Sequence, residues 1–543
     1  MSADIITRLP DRSTSALSLA GPLSDSRGAG RWPLYRDIIK HTGTYGLATT
    51  ANSLAAALLL PVYTRYLSAA EYGVIAILDL TTQLLAVVLG GGLTTAVIRF
   101  SSEANSADER DRVWGTALIY ASAMGLLALA LGLPASASLA RLTLGSASYA
   151  HLYHVLFVSF LVGMVGMVPG TYLLATKHSA LASFASVGRL LVSVSLNVWL
   201  IVFLRWGVEG FLYSGLAAAM FFAVATSAYM LRHVRLRFSR PLLRDMLRFG
   251  APLVPGVLCA AVMHEGDRLI LQRYLGMSEV GIYSLGYKIA MMTSFLVLVP
   301  FGMTWSTVLY EVDRRRDAAA TFARIMGLCT YLVTLVMVIL SLFAREIVEL
   351  LTGPEFHEAY RVIPIISLAY VFYSMHDHFR VPSLLMKKTG VSVIVYAVGA
   401  GSNLILNLAL IPRYGYMGAA LATAASFAIF AGTALVCYRR LYAIPYPLGR
   451  ICLVLLMSLP CFGAGALLGG SNAWPSLLVR IAALIAFAVF LCWAASASAT
   501  GPREGGRGAA WAGIISLAGY RDRPGRARRS DEPRGRRGSP RLI

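Results

Sequence analysis

The sequence predicts an all-α membrane protein that crosses the bilayer about fourteen times. Hydrophobic residues make up 57% of the 543 residues and charged residues only 14%, whereas charged residues account for about 25% of an average soluble domain. Fourteen apolar segments are long enough to cross a bilayer, because roughly 30 Å of hydrocarbon takes about 20 helical residues. Short motifs that recur at one offset also predict two copies of one membrane unit.

The recurring motifs lie 208 residues apart. Positions 65–74 (RYLSAAEYGV) return as 273–282 (RYLGMSEVGI), and positions 205–210 (RWGVEG) return as 413–418 (RYGYMG). Internally repeated membrane chains are typically transporters with a site between the repeats. We expect the repeated residues themselves to be architectural, with arginine near lipid head groups and glutamate and glycine in a helix-to-helix turn. They are Arg65 and Arg273, Glu71 and Glu279, and Gly73 and Gly281.

The predicted spans form six per copy and a final pair. They lie at approximately 44–66, 73–99, 113–135, 151–175, 183–205, 210–231, 249–275, 280–304, 321–343, 359–384, 391–412, 417–438, 451–470 and 476–497. The predicted domains are a disordered N-terminus (1–43), an N-lobe with helices 1–6 (44–231), a basic linker (232–248), a C-lobe with helices 7–12 (249–438), helices 13–14 (439–498) and a basic disordered tail (499–543).

Basic residues predict the orientation of the spans. The even-numbered connections carry the arginines and lysines, including the linker 232–248, whereas the odd-numbered connections are short or acidic. This positive-inside pattern places both termini in the cytoplasm. Each copy has an even number of spans, so the two lobes are expected to be parallel and related by a pseudo-two-fold axis along the membrane normal. The linker is expected to be either an amphipathic segment on the inner leaflet or a solvated topology determinant.

Ionisable residues inside the spans indicate a hydrated cavity. A charged side chain at the bilayer centre costs roughly 2.5–3.5 kcal/mol even on a lenient scale, so several together imply water or partners. The candidates for an anionic ligand are Arg268, Lys288, Arg380, Arg189 and Arg99, and those for ion coupling are Asp267, Glu265, Asp377, His264 and Asp79. The alternative is simple neutralisation within the membrane, with Glu265 paired to Arg268 and Asp377 paired to Arg380.

Enzymatic signatures are not found in the sequence. It contains no P-loop, no metal-ligand spacing and no nucleophile elbow. The net charge of +21 and the eleven arginines of the tail fit membrane topology and do not indicate nucleic acid. We therefore expect a transporter without a metal or an organic cofactor, which is driven by H⁺, by Na⁺, by the membrane potential or by consumption of its product.

Several motifs resemble one family of exporters. Tyr45-Gly46, positions 65–73, positions 267–271 with 281–284, and positions 413–420 are similar to the polysaccharide biosynthesis branch of the MOP exporter superfamily, which includes Wzx-type flippases. The resemblance covers about residues 40–440. One departure is that the Asp267-Arg268 pair has no counterpart in the first copy, where the 208-residue offset falls on Leu59-Leu60.

The resemblance implies the cargo, an O-antigen or exopolysaccharide repeat unit on a polyprenyl diphosphate that crosses the bacterial inner membrane by alternating access. The cationic candidates would then contact diphosphate or sugar. Four tyrosines would stack on sugar rings, namely Tyr283, Tyr287, Tyr370 and Tyr373. The expected partners are the lipid bilayer and polysaccharide polymerase or export machinery.

Three alternatives remain open. The same fold could flip lipid II or export drugs in exchange for cations, as MATE transporters do. A membrane-embedded glycan polymerase or ligase has similar hydropathy, but it usually needs a large outer loop, and no outer connection here is longer than about 15 to 20 residues. A non-transporting scaffold that acts through the tail 499–543 is the third alternative.

Overall fold

The structure is a computed structural model of the chain and describes residues 59–386, 388, 390–468 and 474–499. Within these ranges the chain forms helices joined by short connections, and no β-strand occurs. The prediction of an all-α membrane fold is therefore confirmed. The predicted N-terminus 1–43, most of the first span and the tail after Ala499 lie outside the described residues.

The helices are numbered in chain order. They are α1 (described over 59–66), α2 (Ala69–Gly90), α3 (Leu93–Glu103), α4 (Ala107–Leu144), α5 (Ala150–Ala175), α6 (Ser179–Asn197), α7 (Gly207–His233), α8 (Arg240–Gly250), α9 (Val254–Glu265), α10 (Asp267–Leu275), α11 (Met277–Ala290), α12 (Val299–Asp313), α13 (Ala318–Leu342), α14 (Ala344–Leu351), α15 (Val362–Phe379), α16 (Val381–Leu385), α17 (Gly390–Tyr438), α18 (Leu448–Leu468) and α19 (Trp474–Ala499).

Ten helical segments of the described chain are long and apolar enough to cross a bilayer. One of them, α17, contains two predicted spans, because Gly415 interrupts the helix with φ 61° and ψ −142°. Helices α15 and α18 coincide with two further predicted spans. The chain is thus a multi-pass membrane protein, while the count of fourteen helices and the parallel arrangement of the lobes stay predictions.

The second repeated motif has a glycine with positive φ in both copies. Gly207 has φ 53° and Gly415, which is 208 positions later, has φ 61°. Only glycine adopts this left-handed region without steric cost from a side chain. The glycine of this motif is therefore required by the turn in each copy.

Helices α2 and α11 cross at Gly73 and Gly281. A Cβ atom on Gly73 would collide with the backbone oxygen of Met277, and a Cβ atom on Gly281 would collide with the backbone oxygen of Ala69. Ala69 and Met277 are also 208 positions apart, so the contact is reciprocal. A two-fold relation between the repeats would produce such a contact.

The two copies share one apolar core at one end of the helices. Away from that end, each copy has an apolar core of its own. At the end of the predicted outer connections, both copies contribute to one buried cluster, which includes Tyr72 and Tyr283. Away from that end, the first copy has its own cluster around Trp114. The second copy has another around Phe430, to which α18 and α19 contribute. The copies therefore share one apolar core, and each copy has a further core of its own.

Candidate substrate cavity

A cavity of about 480 Å³ lies between the two copies. Its walls come mainly from α2 of the first copy and from α9, α10, α11 and α15 of the second copy. Tyr72, which precedes the crossing residue Gly73, is part of the lining. The volume falls within the roughly 300–1,000 Å³ of pockets that hold small-molecule ligands.

The two facing walls of the cavity use repeat-related positions with different side chains. Four lining residues of α2 have their counterparts 208 positions later in the lining on or just after α11. The pairs are Ala76 with Ser284, Asp79 with Tyr287, Gln83 with Met291, and Val87 with Phe295. The repeat therefore supplies the shape of the cavity, and divergence between the copies supplies its chemistry.

Arg268 is the most enclosed cation of the cavity wall, with 8% of its surface exposed. Its Nε donates to Ser284 Oγ at 3.1 Å, and its Nη1 donates to the His264 carbonyl oxygen at 3.1 Å. The guanidinium also lies 5.1 Å from the Tyr287 ring centroid, within cation–π range. The nearest oxygens of the neighbouring carboxylates are 3.9 Å (Asp267) and 4.0 Å (Glu265) away. Neutral partners therefore fix this cation, and neither carboxylate makes a close pair with it.

Polar interactions link the copies across the cavity. Lys288 of α11 interacts with Tyr72 and Asp79 of α2. With its amide oriented so that Nε2 faces Glu265, Gln83 donates to the two carboxylate oxygens at 3.1 and 3.0 Å. Asp79, Gln83 and Lys288 are exposed although they lie within apolar spans, because their side chains face the cavity. Asp79 also lines the cavity and would repel an anionic ligand bound at Lys288.

Aromatic side chains form the wall on the side of α15. Tyr370 and Tyr373 line the cavity, and their ring centroids lie 6.2 and 5.1 Å from that of His264. Tyr287 joins this wall through its hydroxyl group, which lies 3.1 Å from His264 Nδ1. The rings provide apolar faces with polar edges, a combination that suits sugar rings as well as other amphipathic ligands.

Asp267 and Tyr283 lie in a buried polar network beside the cavity and do not line it. Tyr283 donates its hydroxyl proton to Asp267 Oδ2, and Thr423 donates to the same oxygen at 3.3 Å. The network continues along α17, where Asn403 donates to Ser426 at 3.0 Å and Asn407 donates to Asn403 Oδ1 at 3.0 Å. Sequence reasoning missed four members of the network, namely Thr423, Ser426, Asn403 and Asn407. The signal was the pair of asparagines four positions apart in an apolar span.

The remaining charged candidates do not line the cavity in this conformation. Asp377 and Arg380 pair at 3.4 Å at the far end of α15. Arg189 lies 5.6 Å from the Phe222 ring centroid. Arg99 is exposed and pairs with Glu103 at 2.9 Å. Any contact of these three arginines with a ligand in the cavity would require another conformation.

The repeated residues outside the cavity surround the helix crossing. Glu71 forms a capping box with Ser68, whose backbone N–H donates to Glu71 Oε2 at 2.8 Å. The second copy has Gly276 in place of Ser68, with φ 91°, so Glu279 lacks this partner. Arg65 and Arg273 are both exposed. Among the described residues, no group of three or more histidine, cysteine or acidic side chains converges to hold a metal ion.

Comparison with known proteins agrees with the architecture. The chain is 23% identical over 342 residues to the succinoglycan biosynthesis transport protein ExoT of Rhizobium meliloti, an alignment that covers 61% of this chain and 64% of that protein. The alignment thus spans less than two thirds of that relative. A structure of the lipid II flippase MurJ in an inward closed conformation has a TM-score of 0.68 at 15% identity and covers 82% of this chain and 97% of that one. An inward-facing MATE family multidrug transporter of the MOP superfamily has a TM-score of 0.61 at 18% identity, covering 72% and 95%.

The fold and the cavity define a multi-pass membrane protein with the architecture of MurJ and MATE transporters. Residues 62–361 match the family described as polysaccharide biosynthesis protein. The chain belongs to this family, and the resemblance predicted from its motifs is confirmed.

Proposed function

We propose that this protein moves a polyprenyl-diphosphate-linked oligosaccharide, such as an O-antigen or exopolysaccharide repeat unit, across the bacterial inner membrane by alternating access. The observation that carries the proposal is the cavity between two copies of one membrane unit, whose lining includes the charged residues Arg268, Lys288 and Glu265. Family membership supports a glycan cargo. Without a polar pathway, the sugar hydroxyls and the diphosphate would lose hydrogen bonds worth several kcal/mol each in hydrocarbon.

We place both termini in the cytoplasm, as the basic connections predict. The shared core and the crossing of Gly73 with Gly281 then close the outer end of the cavity. The conformation described here would accept cargo from the inner side. Rocking of the N-lobe (44–231) against the C-lobe (249–438) would part the crossing and expose the cavity to the outer side.

We assign the diphosphate contact to Lys288 and Arg268. Lys288 faces the cavity, and Arg268 is held in place by neutral groups. Hydrogen bonds between such cations and phosphate oxygens are charge-assisted and roughly twice as strong as neutral ones. Tyr287, Tyr370 and Tyr373 would contact the sugars. The polyprenyl tail can stay in lipid throughout.

We further propose that transport is coupled to H⁺ or Na⁺ through acidic groups of the second copy. Asp267 is buried, and its Oδ1 has no hydrogen-bond partner among the described residues. Glu265 faces the cavity and accepts hydrogen bonds from Gln83 of the first copy. Binding of a cation at either carboxylate would change the interactions within or between the copies. Asp267→Asn should abolish any dependence of transport on an imposed H⁺ or Na⁺ gradient.

The direct test is reconstitution with a fluorescent lipid-linked oligosaccharide, measuring how much cargo becomes accessible to a reagent on the opposite side. Lys288→Ala and Arg268→Ala are each expected to slow flipping about 10- to 150-fold, since a hydrogen bond to a charged group is worth roughly 1.5–3 kcal/mol. Arg99→Ala removes a cation outside the cavity and should retain the wild-type rate. If correctly inserted Lys288→Ala protein flips cargo as fast as wild type, the assignment of the diphosphate site is wrong.

The same vesicles distinguish the alternatives. Flipping of lipid II but not of glycan-loaded carriers would identify a lipid II flippase, and cation-driven efflux of dyes alone would identify a drug exporter. Deletion of 499–543 separates a transporter from a scaffold that acts through this tail, because a transporter should keep its flipping rate without the tail.

A further inference from the structure

The amphipathic helix α8 carries an arginine surface that the transport cavity does not use. Arg240, Arg244 and Arg248 follow one another at intervals of four residues and are all exposed, so they form one stripe on the helix. They share an open surface of α8 with Leu243 and Leu247. This stripe, Arg240, Arg244 and Arg248, is called the α8 arginine stripe below.

The opposite side of α8 is anchored to the first copy. Met246 is fully buried there, and Leu242 and Phe249 pack against the same apolar cluster. Gly250, the last residue of α8, packs tightly against Gly91 and Gly92. A Cβ atom on Gly250 would collide with the backbone of Gly91, and a Cβ atom on Gly92 would collide with the backbone of Gly250. The stripe is therefore presented on a fixed support rather than on a free loop.

Within the described ranges, the guanidinium groups of the stripe have no carboxylate partners. Among the described residues, none of the three arginines forms an ion pair with a carboxylate. Arg237, just before the helix, contrasts with them because it pairs with Asp108. Among the described residues of this surface, Asp245 is the one acid, which leaves a net positive charge of two.

Apolar side chains flank the stripe at both ends. Leu236 and Phe238 before α8 are 51% and 53% exposed, and Leu253 after it is 44% exposed. Exposed leucine and phenylalanine next to unpaired arginine suit the boundary between acyl chains and phosphate head groups. The basic connections place this boundary at the cytoplasmic leaflet, where anionic lipids attract such segments.

We propose that the α8 arginine stripe is a binding surface for the phosphate head groups of anionic phospholipids. Guanidinium groups bind phosphate oxygens in a bidentate manner, and the leucines between them contact the upper acyl chains. Helix α8 continues into α9, whose Val257, Ala260 and His264 line the cavity. A bound lipid would thus hold the cavity wall at its inner end. The proposal is independent of the cargo.

Native mass spectrometry of the full chain in detergent micelles tests the proposal, with phosphatidylglycerol or phosphatidylcholine added stepwise. Wild-type protein should bind phosphatidylglycerol more tightly than phosphatidylcholine. The triple variant R240Q/R244Q/R248Q should lose roughly a hundredfold in affinity for phosphatidylglycerol, since each basic residue contributes about fivefold, and should bind phosphatidylcholine unchanged. R314Q/R315Q/R316Q removes the same charge from another basic connection and should keep the preference.

Three results would overturn the proposal. The first is wild-type affinity for phosphatidylglycerol in the triple variant, and the second is an equal loss in the R314Q/R315Q/R316Q control. The third is displacement of the lipid by soluble pyrophosphate at equal concentration, which would identify a site for free phosphate groups. If the triple variant is not monodisperse, the single variants R240Q, R244Q and R248Q replace it, each with an expected loss of about fivefold.

Discussion

Replacing Gly73 by alanine is expected to open the outer end of the cavity. The new Cβ atom would collide with the backbone oxygen of Met277, which cannot move aside as the end of a flexible side chain can. Overpacking of this kind costs about 1–3 kcal/mol. If α2 and α11 separate in the outward-open state, the collision destabilises only the closed state. The population of the outward-open state should then rise about 5- to 150-fold relative to the closed state.

The assay measures access to the cavity from outside. A single cysteine at Ala76, which lines the cavity, is introduced after the six native cysteines have been replaced by serine. A membrane-impermeant maleimide is then added to right-side-out vesicles. Because labelling requires the outer end to open, its rate should rise with the open population in the Gly73→Ala variant, up to the limit at which the open state dominates.

Two control variants separate opening from general damage. Gly90→Ala lies on the same helix, where nothing lies within 4 Å of the added Cβ atom, and should label at the wild-type rate. Gly281→Ala disturbs the same crossing, so it should resemble Gly73→Ala and add less than its full effect in the double variant. A Gly73→Ala protein that loses thermal stability but labels at the wild-type rate would refute the reasoning, because the crossing would then be a fixed scaffold.

Two further predictions concern the stability of the second half of the chain. Arg480 is buried, contacts Glu346 and donates to the Leu342 carbonyl oxygen at 3.2 Å, so Arg480→Leu should lower the free energy of unfolding by about 1–3 kcal/mol, measured by thermal unfolding in detergent. Adding Glu346→Leu should restore part of the loss, and full stability of the single variant would contradict this role. Gly415→Ala places a side chain at φ 61° and ψ −142° and should cost about 1–3 kcal/mol, whereas Gly432→Ala, with open space around its Cβ position, should be neutral.

The candidate residues of the second copy illustrate what a sequence can predict. Arg268, Lys288 and Tyr370 were identified as candidates because polar groups in apolar spans are costly and therefore indicate water or partners, and all three line the cavity. Asp377 and Arg380 satisfied the same criterion but pair with each other away from it. Their environment depends on which side of α15 faces the cavity, and spacing along one helix does not determine that.

In the first copy, the cavity lining includes a residue that was not predicted from the sequence. Tyr72 lies within a repeated motif and was not a candidate, yet it lines the cavity and interacts with Lys288. The signal was present, because the second copy has Val280 at the corresponding position. A difference between two repeat-related positions indicates a cavity residue only when the structure shows that the two copies face each other there.

The sequence by itself determined the class of protein. Three features are visible in the amino-acid sequence without any tertiary structure: apolar segments of membrane length, the 208-residue repeat and the family motifs. Tertiary structure alone decided which side chains share the cavity and how the cavity is closed. The crossing of Gly73 with Gly281 and the approach of Lys288 to Asp79 join residues about 208 positions apart. Such contacts depend on how helices from the two copies pack, and no local pattern in either copy encodes that packing.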